Sequence, residues 1–234
     1  MILEINDLET GYGKLRVLQG IRLEVGAESL GLFGPNGAGK TTLINTIMGL
    51  TRPWKGSIKF DGREIGGLPT HEVARAGIAL VPQERELFPG MSVADNLELG
   101  AAYIPHARGI MARQLEMVLG LFPILKERYR QLAGTMSGGQ QRQVAIGRAL
   151  MANPRLLILD EPSLGLQPSI VAEVFEKLSQ LKKSISILVT EQNVRESLRA
   201  VDRGLVLENG AIVIQGTAAE LSGNEHVIKS YLGL

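Results

Sequence analysis

Gly34-Pro35-Asn36-Gly37-Ala38-Gly39-Lys40-Thr41-Thr42 decides how the rest of this 234-residue chain is read. The stretch satisfies the pattern G-x-x-x-x-G-K-[ST] at every fixed position. Before it, Leu30-Gly31-Leu32-Phe33 is a short apolar run with the length of a buried strand. After it, Leu43, Ile44, Ile47 and Met48 recur at helical spacing. Strand, glycine loop and helix in that order converge successive backbone N–H groups on one point, and the helix N-terminus adds unpaired donors and the positive end of its dipole. Such a loop cradles a di- or triphosphate, with Lys40 reaching the β and γ phosphates and Thr41 offering its hydroxyl to a magnesium ion. A chance glycine-rich turn is the plain alternative in a chain with 28 glycines. It leaves the flanking strand and helix unaccounted for.

Composition narrows the class. The length suits one large α/β domain or two tightly joined lobes. Lysine and arginine total 25 against 24 acids, so charge gives no reason to invoke nucleic acid as a partner. The absence of cysteine excludes a disulfide framework and a thiolate metal site, and fits a reducing compartment. The first residues, Met1 to Asp7, lack the basic and apolar regions of a secretory signal. No apolar run approaches the ~20 residues that span a bilayer. The chain therefore reads as soluble, with any membrane role delegated to a partner.

Local patterns supply the elements. Residues 2–8 and 17–25 read as strands, the second alternating Ile21, Leu23 and Val25 with Arg22 and Glu24, and Thr10-Gly11-Tyr12-Gly13 between them reads as a turn. A further alternating run spans Ser57 to Gly62, so an antiparallel sheet precedes and follows the phosphate loop. Thr70 to Ala76 is a short helix after Pro69, and Ile78 to Val81 a strand ending at Pro82-Gln83. From about residue 84 to 150 the pattern is helical: Ser92 and Asp95 form a capping signal, and Ile110, Leu115, Val118, Leu119 and Phe122 form an apolar stripe. Leu156 to Leu159 is apolar throughout, as a central parallel strand is, and Ile185 to Thr190 is its counterpart. Ser169 is placed to cap the helix between them. A hairpin about Asn209-Gly210 and short helices from Thr217 and Asn224 complete the chain.

Two further stretches carry chemistry. Asp160-Glu161 ends the apolar strand, where a carboxylate beside a phosphate loop can hold magnesium. Asp160 fits that role, and Glu161 can orient or deprotonate a water aimed at the γ phosphate. Met136-Ser137-Gly138-Gly139-Gln140-Gln141 precedes a helix and offers a second anion site, with Ser137 as N-cap and glycines allowing close approach.

Phosphate loop, glutamine after an apolar strand, Ser-Gly-Gly-Gln before a helix, then an apolar strand with Asp-Glu-Pro is an order that resembles the ABC transporter ATPase family over essentially the whole chain. The resemblance rests on GPNGAGKTT at 34, VPQ at 81, MSGGQQRQ at 136 and LLILDEPSLGL at 156. It implies an α/β fold: a P-loop NTPase core with a mainly parallel sheet, an N-terminal antiparallel β subdomain and an inserted helical subdomain. It also implies one domain over 1–234, the core drawn from 1–83 and 151–234 and the helical part from about 84–150. In such proteins two cassettes face each other head to tail, and each ATP with its Mg2+ lies between the loop of one and the Ser-Gly-Gly-Gln segment of the other. Carried over by resemblance, Gly34, Pro35, Asn36, Gly37, Ala38, Gly39, Lys40, Thr41 and Thr42 hold the phosphates. Thr41, Gln83 and Asp160 serve the metal, and Gln83 also serves the attacking water. Ser137, Gly138, Gly139 and Gln140 complete the site across the dimer, and Tyr12 stacks on adenine. Lys40, Gln83, Glu161 and Gln192 are the implied catalytic set.

Two positions depart from the broad pattern. Gln192 stands where most relatives carry a histidine on the γ phosphate, and none of His71, His106 and His226 is near enough in sequence to replace it. Gln192 can hydrogen-bond a phosphate oxygen but cannot become cationic. The loop after Pro162 runs Ser163-Leu164-Gly165-Leu166-Gln167, with glutamine where an aspartate is usual. Together with Gln131-Leu132-Ala133-Gly134 and Gly216 to Leu221, these features resemble the bacterial branched-chain (hydrophobic) amino acid uptake cassettes, whose group extends to urea and amide. That group implies a second ATPase subunit, identical or not, two transmembrane permease subunits and an extracytoplasmic solute-binding protein, with no nucleic acid. It places the chain peripherally, at the cytoplasmic face of the inner membrane. The alternatives are a soluble ABC ATPase outside transport and a nucleotide-gated module with little hydrolysis.

Overall fold

The computed structural model describes every residue except Arg85, Asn193, Glu225, His226 and residues 228–234. Its first unit is an antiparallel sheet. Strands β1 (Leu3–Tyr12) and β2 (Leu15–Val25) form a hairpin, and β4 (Lys55–Phe60) and β5 (Arg63–Glu64) extend it in the order β2-β1-β4-β5. The alternation read in the second strand is the burial pattern observed: Ile21, Leu23 and Val25 are buried and Arg22 and Glu24 exposed.

The first hairpin corrects one sequence reading. Thr10 to Tyr12 is strand, paired with Leu18, Arg16 and Leu15, and the turn is only Gly13-Lys14. Thr10 is fully buried and its hydroxyl donates to the Arg52 carbonyl at 2.7 Å, a commitment a solvent-facing turn would not make. Gly11 is needed for close approach, since a Cβ there would fall 1.9 Å from the Leu15 carbonyl oxygen.

The second sheet has the order β10-β9-β3-β8-β7-β6, built from β3 (Ser29–Phe33), β6 (Ile78–Val81), β7 (Leu156–Asp160), β8 (Ser186–Glu191), β9 (Arg203–Glu208) and β10 (Ala211–Thr217). All its pairings are parallel except β9 with β10. That pair turns at Asn209-Gly210, both left-handed, as a tight hairpin requires. The interior strands are apolar on both faces because each face has its own core. Leu157, Leu159, Ile187 and Val189 pack with helices, whereas Leu156, Ile158 and Leu188 face the antiparallel sheet and helix α1 (Lys40–Ile47).

Helix α2 (Thr70–Ala76) matches its sequence reading. The stretch between β6 and β7 holds α3 (Val93–Ala102), α4 (Pro105–Arg108), α5 (Met111–Leu121), α6 (Pro123–Glu127) and α7 (Gly138–Met151). The Ser92–Asp95 pair is a reciprocal capping box, and Ser137 with Gln140 forms a second. Helix α8 (Pro168–Leu181) starts one residue before the expected cap. Gln167 is the N-cap residue and Pro168 is N1, where the missing N–H costs nothing, so Ser169 lies inside the first turn. Short α9 (Val194–Ser197) follows β8, and Thr217 caps α10 (Ala218–Ser222) through Glu220. The helix read from Asn224 falls largely outside the described residues. Among the described residues no helix is long and apolar enough to cross a membrane.

Candidate active site

The loop between β3 and α1 opens into a cavity of about 440 Å³ lined by Val17, Pro35, Asn36, Gly37, Gly39, Lys40, Thr41, Thr42, Gln83 and Glu161. Gly39 directly precedes α1 with φ of 110°, a left-handed conformation that also brings its Cα against Leu18, whose Cδ2 would meet a Cβ at 2.7 Å. The first turn of α1 thereby faces the cavity. Its carbonyl ladder begins at Leu43, whose N–H donates to Gly39.

Lys40 is 4% exposed and Glu161 6%. The lysine donates to the Gly34 carbonyl at 2.7 Å and the Pro35 carbonyl at 3.1 Å, and its Nζ lies 3.0 Å from Oε1 of Glu161. Cation and carboxylate, drawn from the two ends of the site, are thus paired across the cavity. Beside them Asp160 is fixed on both oxygens: the Thr41 hydroxyl donates to Oδ2 at 3.0 Å and the Thr190 hydroxyl to Oδ1 at 2.5 Å. The same Thr190 hydroxyl accepts from the Glu161 N–H at 3.1 Å. Glu161 holds a left-handed backbone with φ of 43°, a conformation that costs about 1–3 kcal/mol in a non-glycine residue and needs outside support. Thr190 supplies part of that support, since its carbonyl also accepts the Glu161 N–H.

The donor set around Asp160, one carboxylate and the Thr41 hydroxyl with Gln83 nearby, suits a hard divalent cation that takes most of its ligands from phosphate oxygens and water. Among the described residues no three or more His, Cys, Asp or Glu cluster so as to hold a metal ion by themselves.

Glu191, the last residue of β8, was passed over in the sequence. Buried, it accepts from the Ser163 N–H at 2.9 Å and the Ser163 hydroxyl at 2.8 Å, tying the loop after Pro162 to the strand end. Burial pushes its carboxyl up to about 7, opposed by the Ser163 hydrogen bonds and reinforced by the charge of Glu161. A charged residue closing an otherwise uncharged strand was the available signal.

The structure therefore gathers the loop 34–42, Gln83, Asp160 and Glu161 at one place. Tyr12 sits at its edge, 51% exposed, with its hydroxyl 3.4 Å from the Thr42 hydroxyl, a contact that lowers the phenol's pKa. Gln192 is exposed one residue beyond Glu191, whose carbonyl accepts the Gly34 N–H at 3.3 Å. Ser137, Gly138, Gly139 and Gln140 are not brought to the cavity at all. They form the exposed or half-exposed N-terminus of α7. Gly139 has a packing reason in addition to the one read from sequence: a Cβ would lie 2.7 Å from Cγ2 of Ile170 on α8.

The ABC transporter family description matches residues 18–164. BraG of Pseudomonas aeruginosa, a high-affinity branched-chain amino acid transport ATP-binding protein, is 44% identical over 234 residues, covering 99% of this chain and all of that one. The lipopolysaccharide export system ATP-binding protein LptB of Escherichia coli strain K12 is 37% identical, covering 99% of this chain and 97% of its own. Among solved structures, the ADP conformation of MJ1267, an ATP-binding cassette of an ABC transporter, has a TM-score of 0.87 at 28% identity and covers 100% of this chain and 99% of its own. This chain belongs to the ABC transporter family, as its ATP-binding subunit and an ATPase coupled to transport.

Proposed function

We propose that the chain powers a bacterial importer for branched-chain amino acids or a related small solute such as urea or an amide. The full-length likeness to BraG supports the solute class. The two-chain site is supported by one observation above all: the Ser137–Gln140 segment stands apart from the cavity that holds the rest of the set. A second ABC ATPase subunit, identical or not, closes each site head to tail. Two permease subunits hold the pair at the cytoplasmic face of the inner membrane, and an extracytoplasmic binding protein delivers the solute.

In this reading the N–H groups of 34–42 and Lys40 hold the phosphates of ATP, and Tyr12 stacks on adenine. Thr41, Asp160 and Gln83 hold Mg2+, which when bound neutralises charge on the phosphates. Glu161 takes the proton of the attacking water, Gln83 orients that water, and Gln192 donates a hydrogen bond to the γ phosphate without adding positive charge. The partner's counterpart of Ser137 to Gln140 completes the γ-phosphate site.

The test is the dependence of ATPase rate on protein concentration, followed by isolation of the membrane complex and solute uptake in vesicles. Turnover by the isolated chain that is full and independent of concentration sinks the two-chain site. A membrane complex that exports a lipid instead of importing an amino acid would favour a second reading, which rests on the 37% identity to LptB.

A further inference from the structure

Helix α7 carries Ser137 at one end and, one and a half turns on, the largest fully buried side chain of the described residues, Arg142, 1% exposed. Its guanidinium donates from Nη1 to the Pro82 carbonyl at 2.9 Å and from Nη2 to the Gln83 carbonyl at 2.7 Å, a fork closed on consecutive peptides of the segment that carries Gln83. The grip continues along the helix. Arg148 stacks over the Phe88 ring at 5.8 Å, and from α3 the buried Asn96 accepts the Phe88 N–H and donates to the Phe88 carbonyl, both at 3.0 Å. Pro82, Gln83 and Phe88 are thus hung on α7 and α3, whereas Gln83 lines the cavity of the phosphate loop.

We propose that Arg142 is a positioning residue that couples the two nucleotide sites of the assembled pair. The inference rests on the two-chain site proposed above. There the N-terminus of α7 engages the nucleotide of the partner, while Gln83 serves the nucleotide of its own chain. A rigid helix with a bidentate guanidinium at its second turn converts a shift of that N-terminus into a shift of the Gln83 backbone. Gln83 is then set for turnover only when both sites are filled. A lysine at 142 keeps the charge but replaces the rigid planar fork with a compact ammonium on a flexible stem, so it holds the two carbonyls in a less fixed geometry.

The chain has no cysteine, so Glu84→Cys gives it a single exposed labelling position beside Gln83, to be labelled on the purified chain before assembly with its partners. In the assembled transporter, bimane fluorescence at that position is followed on adding AMP-PNP with Mg2+, alongside closure of the pair and steady-state ATPase. The expected result is a signal change in the parent that is lost in Arg142→Gln, with closure and AMP-PNP affinity unchanged. kcat then falls about 10–100-fold with KM for ATP little altered, as for a group displaced by about an ångström. Arg142→Lys restores part of both, and it carries the test if Arg142→Gln does not fold. Unchanged signal and unchanged kcat in both variants overturn the role of Arg142 while leaving the two-chain site standing. Absence of any closure in the parent overturns the two-chain site and this coupling with it.

Discussion

Lys40 Nζ lies 3.0 Å from Oε1 of Glu161, and both side chains are buried. The group that would hold phosphate and the group that would activate water neutralise each other. On the proposed roles, an incoming phosphate would take the lysine from the carboxylate and so free Glu161 for the water. The pair thereby keeps two charges compensated that would otherwise be costly to bury.

Glu161→Gln is expected to do three things at once. Turnover falls about 10²–10⁴-fold with loss of the positioned base. The nucleotide-free chain loses on the order of 3 kcal/mol, because Lys40 keeps only the Gly34 and Pro35 carbonyls. ADP binds at least about tenfold more tightly, since no carboxylate competes for Lys40; that factor corresponds to about 1.4 kcal/mol. Denaturant titration without ligand and calorimetric titration with ADP measure the last two. An ADP affinity equal to or weaker than the parent's contradicts the competition.

Thr190→Val removes the hydroxyl shared by Asp160 and the Glu161 N–H. The isosteric change leaves a buried carboxylate oxygen without its donor and should cost about 1–3 kcal/mol. Asp160 is then held only by Thr41, so half-maximal ATPase is expected at a higher Mg2+ concentration. Urea unfolding and a Mg2+ titration of turnover check the two effects, and an unchanged Mg2+ requirement argues against Asp160 as the metal carboxylate.

Glu191 makes stability depend on pH. Its carboxyl is raised from 4.5 to about 7 in the folded chain, so between those values the folded state binds more protons than the unfolded one. The linkage sign follows: this contribution is fully present below about 4.5 and is lost as pH rises through about 7, to a limit on the order of 3 kcal/mol. Glu191→Gln keeps an acceptor for Ser163 and abolishes the slope. Unfolding free energies at pH 5 and pH 8 should therefore converge in the variant relative to the parent. An equal difference in both proteins rules Glu191 out as the source.

The elements most legible in the sequence were those fixed by neighbours along the chain. Helix α2, strand β6, the Ser92–Asp95 box and the Asn209-Gly210 hairpin each depend on a few adjacent residues. The phosphate loop and Asp160-Glu161 were legible for the same reason. What was missed joins residues far apart: Glu191 to Ser163 across 28 positions, and Arg142 to Pro82 and Gln83 across 60 and 59. Those contacts depend on strand order, with β8 beside β7 and β7 beside β6, which no local period encodes. Gly11 and Ser169 were misplaced because a glycine and a serine signal turns and caps equally well where a strand or a helix N1 proline takes precedence.

Gly139 separates packing from phosphate contact. In Gly139→Ala the new methyl meets Cγ2 of Ile170 at 2.7 Å, and overpacking of that kind costs about 1–3 kcal/mol, partly offset by the roughly 1 kcal/mol that alanine gains in a helix. Ile170→Leu removes the β-branch that carries Cγ2. The double variant should therefore recover stability, with a coupling of at least about 1 kcal/mol in a denaturation cycle. Its ATPase in the assembled transporter then reads the second role alone. If Gly139 is also needed for close approach to the partner's γ phosphate, turnover stays low although the fold is restored. Full recovery of turnover with stability means that the glycine serves only the α7–α8 contact.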